Sequence, residues 1–383
     1  MTIAACTHRP PCPGCPRYGE RGIDASSLAL LEDLASTTGA SLDPVVEGAR
    51  LGFRVRARLA VRGRAASPKL GIFQEGSHAI VDIPNCTIHH PQINRAARAI
   101  RDAIRRAEVR PYAEKPHAGL LRYVQLVVER PTQRVQVVLV ANDSSPDALR
   151  AMADDLASRL GDLLQGLWWN GNTSRGNAIF GEAWELLAGE EALRERIGGA
   201  DVFFPPGAFG QSNMDLADRL VAEVHSRVPD AEVVAELYCG VGAMGLGLVA
   251  RSCEVRFNEV SAHGLRGLDL GLAALVPGVR AKAVVAGGDA GSVAAIVDGA
   301  TTVIVDPPRK GLDAAVVSAI RAARPRRLLY VSCDPGSLVR DARLLTEGGT
   351  LRLVRLTPYA LFPYTEHLET LAEFSRGPGT TVS

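Results

Sequence analysis

The sequence predicts an α/β protein in two parts. A C-terminal Rossmann-like doubly wound sheet is expected over residues 209–383, and an N-terminal α+β domain with an antiparallel sheet and a cysteine-rich loop over residues 1–208. Three observations carry this expectation. From residue 232 onward, short apolar runs end repeatedly in glycine or an acid and are followed by helical stretches, the pattern of parallel strands joined by crossovers. Before that point, apolar and charged residues alternate with period two and hairpin signals occur, as in antiparallel sheets. The length, 383 residues, also exceeds that of one ordinary domain.

Composition narrows the function classes. With 46% hydrophobic residues, the chain can bury a sizeable core. No apolar run reaches the roughly 18 residues of a membrane span, and the first residues have no apolar stretch of the secretory type. We therefore expect a cytoplasmic protein without a membrane partner. Seven cysteines in a reducing compartment point to metal ligation or catalysis rather than disulfides. A net charge of +1 leaves any nucleic-acid signal to local patches.

Cys6, Cys12 and Cys15 lie within ten residues, among prolines that forbid a helix or a ladder strand. Such a loop can turn three sulfurs toward one point. A fourth ligand must then come from farther along, with Cys86, His89 and His90 as candidates. Four thiolates suit an iron–sulfur cluster or tetrahedral zinc, and spacing does not separate the two. A short helix is expected over 26–37. In residues 53–62, Phe53, Val55, Ala57, Leu59 and Val61 alternate with Arg54, Arg56, Arg58 and Arg62, predicting a strand with one buried face. Its arginine face matches a phosphate backbone, although charged outer faces are also common on ordinary strands. Residues 93–110 and 146–166 carry helical patterns, and residues 122–140 carry a hairpin signal. Trp168 and Trp169 fall in a turn-rich stretch, and residues 199–210 look like a joint followed by a helix to about Arg227.

The C-terminal part is a succession of strand ends. The first runs into Tyr238-Cys239-Gly240-Val241-Gly242 and the second ends at Glu259, about 20 residues after the glycines, where an acid can bind ribose hydroxyls. The third ends at Asp289, the fourth at Asp306-Pro307-Pro308-Arg309-Lys310-Gly311, and the fifth at Ser332-Cys333-Asp334-Pro335. In an open α/β sheet, ligands bind outside the carboxyl ends of the strands. A cysteine at that place is a strong nucleophile once a neighbour makes it a thiolate, although most free cysteines are small buried hydrophobes. A final hairpin-like segment brackets Phe362-Pro363-Tyr364-Thr365-Glu366-His367-Leu368-Glu369.

At these last three motifs the sequence resembles the RNA uracil-5-methyltransferases, class I S-adenosylmethionine (SAM) enzymes that make 5-methyluridine in 23S rRNA or tRNA. The resemblance runs from Cys6 to the C-terminus. It implies that Cys333 is the nucleophile and Glu369 the base. It implies that Gln211, Tyr238, Gly240, Glu259 and Asp306 contact SAM or order its surroundings, with Asp289 at the adenine amino group. It also implies that Cys6, Cys12, Cys15 and Cys86 hold a [4Fe-4S] cluster, as in the rRNA branch, and hence a 23S rRNA substrate. The family's usual asparagine in the glycine motif is not found at Ala243, and that contact is not carried over.

The residue types agree with such chemistry. C5 of uracil is a poor nucleophile until a thiolate adds to C6, and a base must afterwards remove the C5 proton. The target base must leave its stack to be reached. The same chemistry on tRNA, amino-group methylation, a non-catalytic RNA-binding assembly factor and an electron carrier are the competing readings. An amino-group methyltransferase would leave Cys333 and Glu369 without work. We expect a monomer.

Overall fold

The computed structural model describes residues 5–20, 22–288 and 290–377; Asp289 lies outside them. Contacts divide the chain into two units, and the division differs from one at 208/209. The first unit takes the residues up to Glu20, Ala49–Glu195 and Pro205–Met214; the second takes residues 22–48, Arg196–Phe204 and the chain from Asp215 on. Residues 22–48 join the second unit for a packing reason. Their helix, Ala25–Thr38, buries Leu31, Leu34 and Ala35 in the same core as Leu345, Leu356 and Phe374. Asp24 caps that helix by accepting from the Ser27 N–H at 3.0 Å, and Gly39 ends it at φ 71°.

In the second unit, eight strands form one sheet. Their order is Ser41–Leu42, Leu351–Tyr359, Glu369–Arg376, Arg327–Ser332, Thr302–Val305, Val233–Leu237, Glu254–Glu259 and Ala283–Gly287. All neighbours are parallel except Glu369–Arg376, which runs antiparallel to both of its partners. The central strands are buried along almost their whole length, as parallel strands covered on both faces must be. The chain leaves Val233–Leu237 toward one edge and returns to Thr302–Val305 on its other side. The strand order therefore reverses between these two strands, and the carboxyl ends open a crevice there.

In the first unit, seven strands run in the order Ile80–Asp82, Ser67–Phe73, Arg56–Arg64, Leu121–Val128, Val135–Ala141, Leu164–Gly171 and Ala183–Gly189. The expected hairpin is present as Leu121–Val128 with Val135–Ala141. One pair departs from the antiparallel expectation: Val135–Ala141 and Leu164–Gly171 are parallel, because helix Arg150–Leu160 crosses over between them. Helix Pro91–Arg106 buries Ile93, Ala97, Ile100 and Ile104, the three isoleucines each contributing about 1.5–3 kcal/mol of hydrophobic stabilisation. Trp169 lies in a strand and is buried, not in a turn where it could meet bases.

The arginine strand has its predicted inner face, with Phe53, Val55, Ala57, Leu59 and Val61 all buried. Its other face is not open along its length. The Val55 N–H donates to the Ser212 carbonyl at 2.9 Å, the Arg56 guanidinium to the Ala208 carbonyl at 3.2 Å and the Gln125 amide to the Pro206 carbonyl at 2.7 Å. Segment Pro205–Met214 thus covers part of that face. No helix among the described residues is long and apolar enough to cross a membrane.

Candidate active site and cysteine cavity

The glycine turn follows Val233–Leu237. Tyr238 stands at φ 57°, Gly240 at φ 56° and Gly242 at φ 78°. A tyrosine in the left-handed region costs on the order of 1 kcal/mol and is the kind of strain that collects at functional sites. A Cβ on Gly240 would meet nothing within 4 Å, so backbone is presented to open space. A Cβ on Gly242 would stand 2.6 Å from Leu268, so that glycine serves close packing.

Two acids shape this turn from below. Glu259 accepts from the N–H groups of Gly240 at 2.8 Å, Val260 at 2.8 Å and Ser261 at 2.6 Å. It therefore fastens the glycine turn to the end of its own strand, while a carboxylate keeps further acceptor capacity. Glu236 is buried beneath the turn. Burial pushes its carboxyl up to about 8, against the pull of the Gly245 and Met244 N–H groups.

Register brings the reactive groups together. In the antiparallel pair, Ser332 stands opposite Thr370. One residue past that pair lie Cys333 on one side and Glu369 on the other, about 5 Å apart across the ladder by strand spacing. Thr302–Val305, parallel to the cysteine strand on its other side, ends with Val305 opposite Tyr330 and so brings Asp306 level with Val331, near enough to act on the Cys333 thiol. Burial, then Glu369 and Asp306, push the Cys333 thiol up to about 11, and the Arg309 guanidinium opposes them. Burial also raises Asp306 and Glu369 above the ordinary carboxylate range; Asp306 adds to the rise at Glu369 and Arg309 opposes it. Glu369 is buried, and its Oε1 has no hydrogen-bond partner among the described residues.

Neighbouring bonds hold this geometry. Asp334 caps helix Pro335–Thr346, accepting from the Ser337 N–H at 2.7 Å, so Cys333 sits just before the positive end of that helix. The Ser337 hydroxyl donates to the Arg309 carbonyl at 2.9 Å, and an Arg309 guanidinium nitrogen lies 3.1 Å from His367 Nε2. Asp341, fully buried, accepts from the Leu312 N–H at 2.7 Å and the Tyr330 hydroxyl at 2.8 Å. It clamps the loop after Asp306 to the cysteine strand. A Cβ on Gly311, at φ 77°, would stand 2.4 Å from Asp341, which explains the glycine in that loop.

A second site lies wholly in the first unit. Cys6, Cys12, Cys15 and Cys86 line one cavity of about 180 Å³, with His89, Tyr18 and Arg54. Burial and the other three thiols push Cys15 up to about 12, with Arg54 opposing. Cys86 is raised by burial against the Ile88 and His89 N–H groups. Of the two histidine candidates for fourth ligand, His90 caps helix Pro91–Arg106, accepting from the Gln92 N–H at 3.3 Å. No three of His, Cys, Asp and Glu stand so as to hold a single metal ion among the described residues.

Comparison with known proteins places the chain. Residues 298–376 match the family described as tRNA (Uracil-5-)-methyltransferase. A protein of Protochlamydia amoebophila, named as an uncharacterized RNA methyltransferase, is 35% identical over 97% of this chain and 97% of its own length. The chain belongs to the RNA uracil-5-methyltransferase family. A second relative, from Geobacter sulfurreducens and also named as an uncharacterized RNA methyltransferase, is 32% identical over 84% of this chain and 66% of its own. Among solved structures, the Pyrococcus abyssi tRNA (uracil-54, C5)-methyltransferase in complex with S-adenosyl-L-homocysteine superposes with a TM-score of 0.77, at 26% identity, over 95% of this chain and 86% of that one.

The remaining candidate residues of this methyltransferase are scattered. Gln211 is half-buried in the segment that packs with the first unit. The four arginines do not act as one row. Arg56 is buried on the Ala208 carbonyl, Arg54 lines the cysteine cavity, and Arg62 is tied to Glu114 at 2.9 Å. Arg58 alone of the four is exposed. The sequence offers Arg309 or Lys310 to favour the Cys333 thiolate, and Arg309 is the one that lowers it; to Asp341, Glu236 and His367 the sequence assigns no role. Asp341 sits mid-helix with no motif signal, so only the fold reveals it.

Proposed function

We propose that this methyltransferase transfers a methyl group from SAM to C5 of uridine in 23S rRNA. The observation that carries the reading is the register that sets Cys333 beside Glu369, on the two strands beyond the one that borders the crevice. SAM, when bound, supplies an electrophilic methyl on a positively charged sulfur, and Tyr238, Gly240, Glu259, Asp306 and Gln211 are the residues that would hold it. The open backbone at Gly240 and the acceptor capacity of Glu259 fit such a ligand. Cys333, as thiolate, adds to C6 of the flipped uracil, and the electrons move to C5, which takes the methyl. Glu369 then accepts the C5 proton, the C5–C6 double bond re-forms and the thiolate leaves. A buried carboxylate of raised proton affinity with an open oxygen suits that step.

The four thiols around one cavity fit a [4Fe-4S] cluster, to which they would supply four soft ligands and whose binding would cross-link the loop to the segment bearing Cys86. No step of the reaction needs it. Iron and sulfide content, against zinc, tests the assignment. tRNA is a second reading, favoured by the 95% coverage of this chain in the match to the Pyrococcus abyssi enzyme, whose name specifies tRNA uracil-54.

RNA containing 5-fluorouridine tests the chemistry. With SAM present, fluorine at C5 cannot leave as a proton, so the protein should stay covalently joined to RNA through Cys333. Methyl transfer with no such adduct, or an adduct elsewhere, overturns the mechanism. Mapping 5-methyluridine in rRNA and tRNA from cells with and without the protein decides the substrate.

A further inference from the structure

The first unit carries a second concavity, a groove of about 1050 Å³. It is larger than the roughly 300–1,000 Å³ of small-molecule sites. Strands Arg56–Arg64, Ser67–Phe73 and Leu121–Val128 supply its floor, and the turns around residues 74–78, 114–117 and 175–179 its rim. Lys115 and Arg175 on the rim are exposed and have no ion pair among the described residues. Of the two acids in the lining, Glu114 is occupied by Arg62 at 2.9 Å and His78 at 2.6 Å, which leaves Glu75. The groove is therefore positive where it meets solvent.

Rings face the same space. The Arg62 guanidinium lies 5.3 Å from the ring centres of Phe73 and Tyr112 and 5.4 Å from that of Tyr123, fastening three aromatics into one wall. Tyr112 is buried, whereas Phe73 and Tyr123 are half-exposed. His117, also in the lining, is held by the Tyr112 hydroxyl at 2.6 Å. Unpaired cations on a rim above fixed aromatic faces are what unstacked nucleotides require: phosphates meet the charges and bases meet the rings. A duplex, whose bases stay stacked, would reach the rim alone.

We propose that this groove holds an unpaired segment of the RNA substrate, distinct from the uridine that reacts, with phosphates on Lys115 and Arg175 and bases against Tyr123 and Phe73. The proposal rests on the RNA-methyltransferase reading and adds to it where substrate RNA is selected. The test uses the full chain, a fluorescein-labelled single-stranded RNA 12-mer and its duplex, across a salt series. Lys115→Glu/Arg175→Glu should weaken single-strand binding by about tenfold or more and lower the slope of log K against log salt by about 1.4, the loss of two phosphate contacts. SAM binding and adduct formation with saturating 5-fluorouridine RNA should be unchanged. Abasic positions in the 12-mer should weaken wild-type binding about 5- to 150-fold, the worth of a stacked base, and Tyr123→Leu should lower that sensitivity to what Phe73 alone supports. Unchanged single-strand affinity in the double variant, or equal losses for single strand and duplex, overturns the groove. Neither outcome touches the methylation reading, which fails instead if wild type forms no Cys333 adduct.

Discussion

Cys15 and Cys333 are both raised by burial, one to about 12 and the other to about 11, each with one arginine opposing. What else raises them differs. Around Cys15 the neighbours are thiols: Cys86, Cys12 and Cys6. Around Cys333 they are carboxyls: Glu369 and Asp306. Thiols that raise one another lose their protons together when a cation is shared by all four. A thiol among carboxyls has proton acceptors at hand whose own affinity is raised. The first arrangement suits a permanent ligand; the second suits a nucleophile that gains and loses a proton in each cycle.

The comparison breaks most sharply at Cys333→Ala. Methyl transfer should fall by about 10⁴-fold or more, as when a covalent nucleophile is removed, with thermal stability held within about 0.5 kcal/mol because a half-exposed thiol becomes a smaller apolar group. Steady-state assay with labelled SAM and a melting curve check both. Near-normal transfer would make Cys333 an ordinary strand-end cysteine. Glu369→Gln comes next, with a loss of about 10²–10⁴-fold, the usual worth of a general base. This variant should also accumulate the Cys333–RNA adduct on ordinary uridine, visible as a shifted band, since addition precedes proton removal.

Cys12→Ser probes the other site. It should cost stability on the order of 2–5 kcal/mol, as when a cross-link is lost from a loop-rich region, read as a lower Tm. The fraction that folds should still form the Cys333 adduct at its normal rate. Unchanged stability would mean that no cross-link through the thiols joins residues 5–20 to Cys86.

Much of this was legible in the chain. The reactive set sits at strand ends marked by turn residues, at Asp306-Pro307-Pro308 and Ser332-Cys333-Asp334-Pro335, where period and punctuation coincide. That Cys86 and His89 share the cavity while His90 caps a helix was not legible, because the three lie within five residues and local pattern cannot say which way each turns. The arginine row failed for another reason. Alternation reports that a strand has two faces, but not what covers the second, and the cover comes from residues 205–214, some 150 positions later. The same limit hid the place of helix Ala25–Thr38, whose buried partners in the core lie at residue 235 and beyond, and the clamp by Asp341.

Arg309→Gln gives the smallest effect and the finest test of how the two thiol sites differ. Arg309 is the one group that lowers both Cys333 and Glu369. The proposed mechanism needs both without their protons, and both are raised, so it predicts a kcat/KM that climbs with pH through neutrality rather than falls. Removing the cation raises both groups further. The two shifts should sum to about one unit and carry the rising limb to higher pH, a small value for a nearby charge because Arg309 is exposed. At neutral pH this is a loss of about tenfold, recovered as the pH is raised. The profile separates this from a structural role: a misplaced Arg309 loop would lower the rate equally at every pH, whereas a lost charge lowers it only on the acid side. High salt should shift the wild-type limb in the same direction, because screening weakens an exposed guanidinium and leaves the buried carboxyls almost untouched.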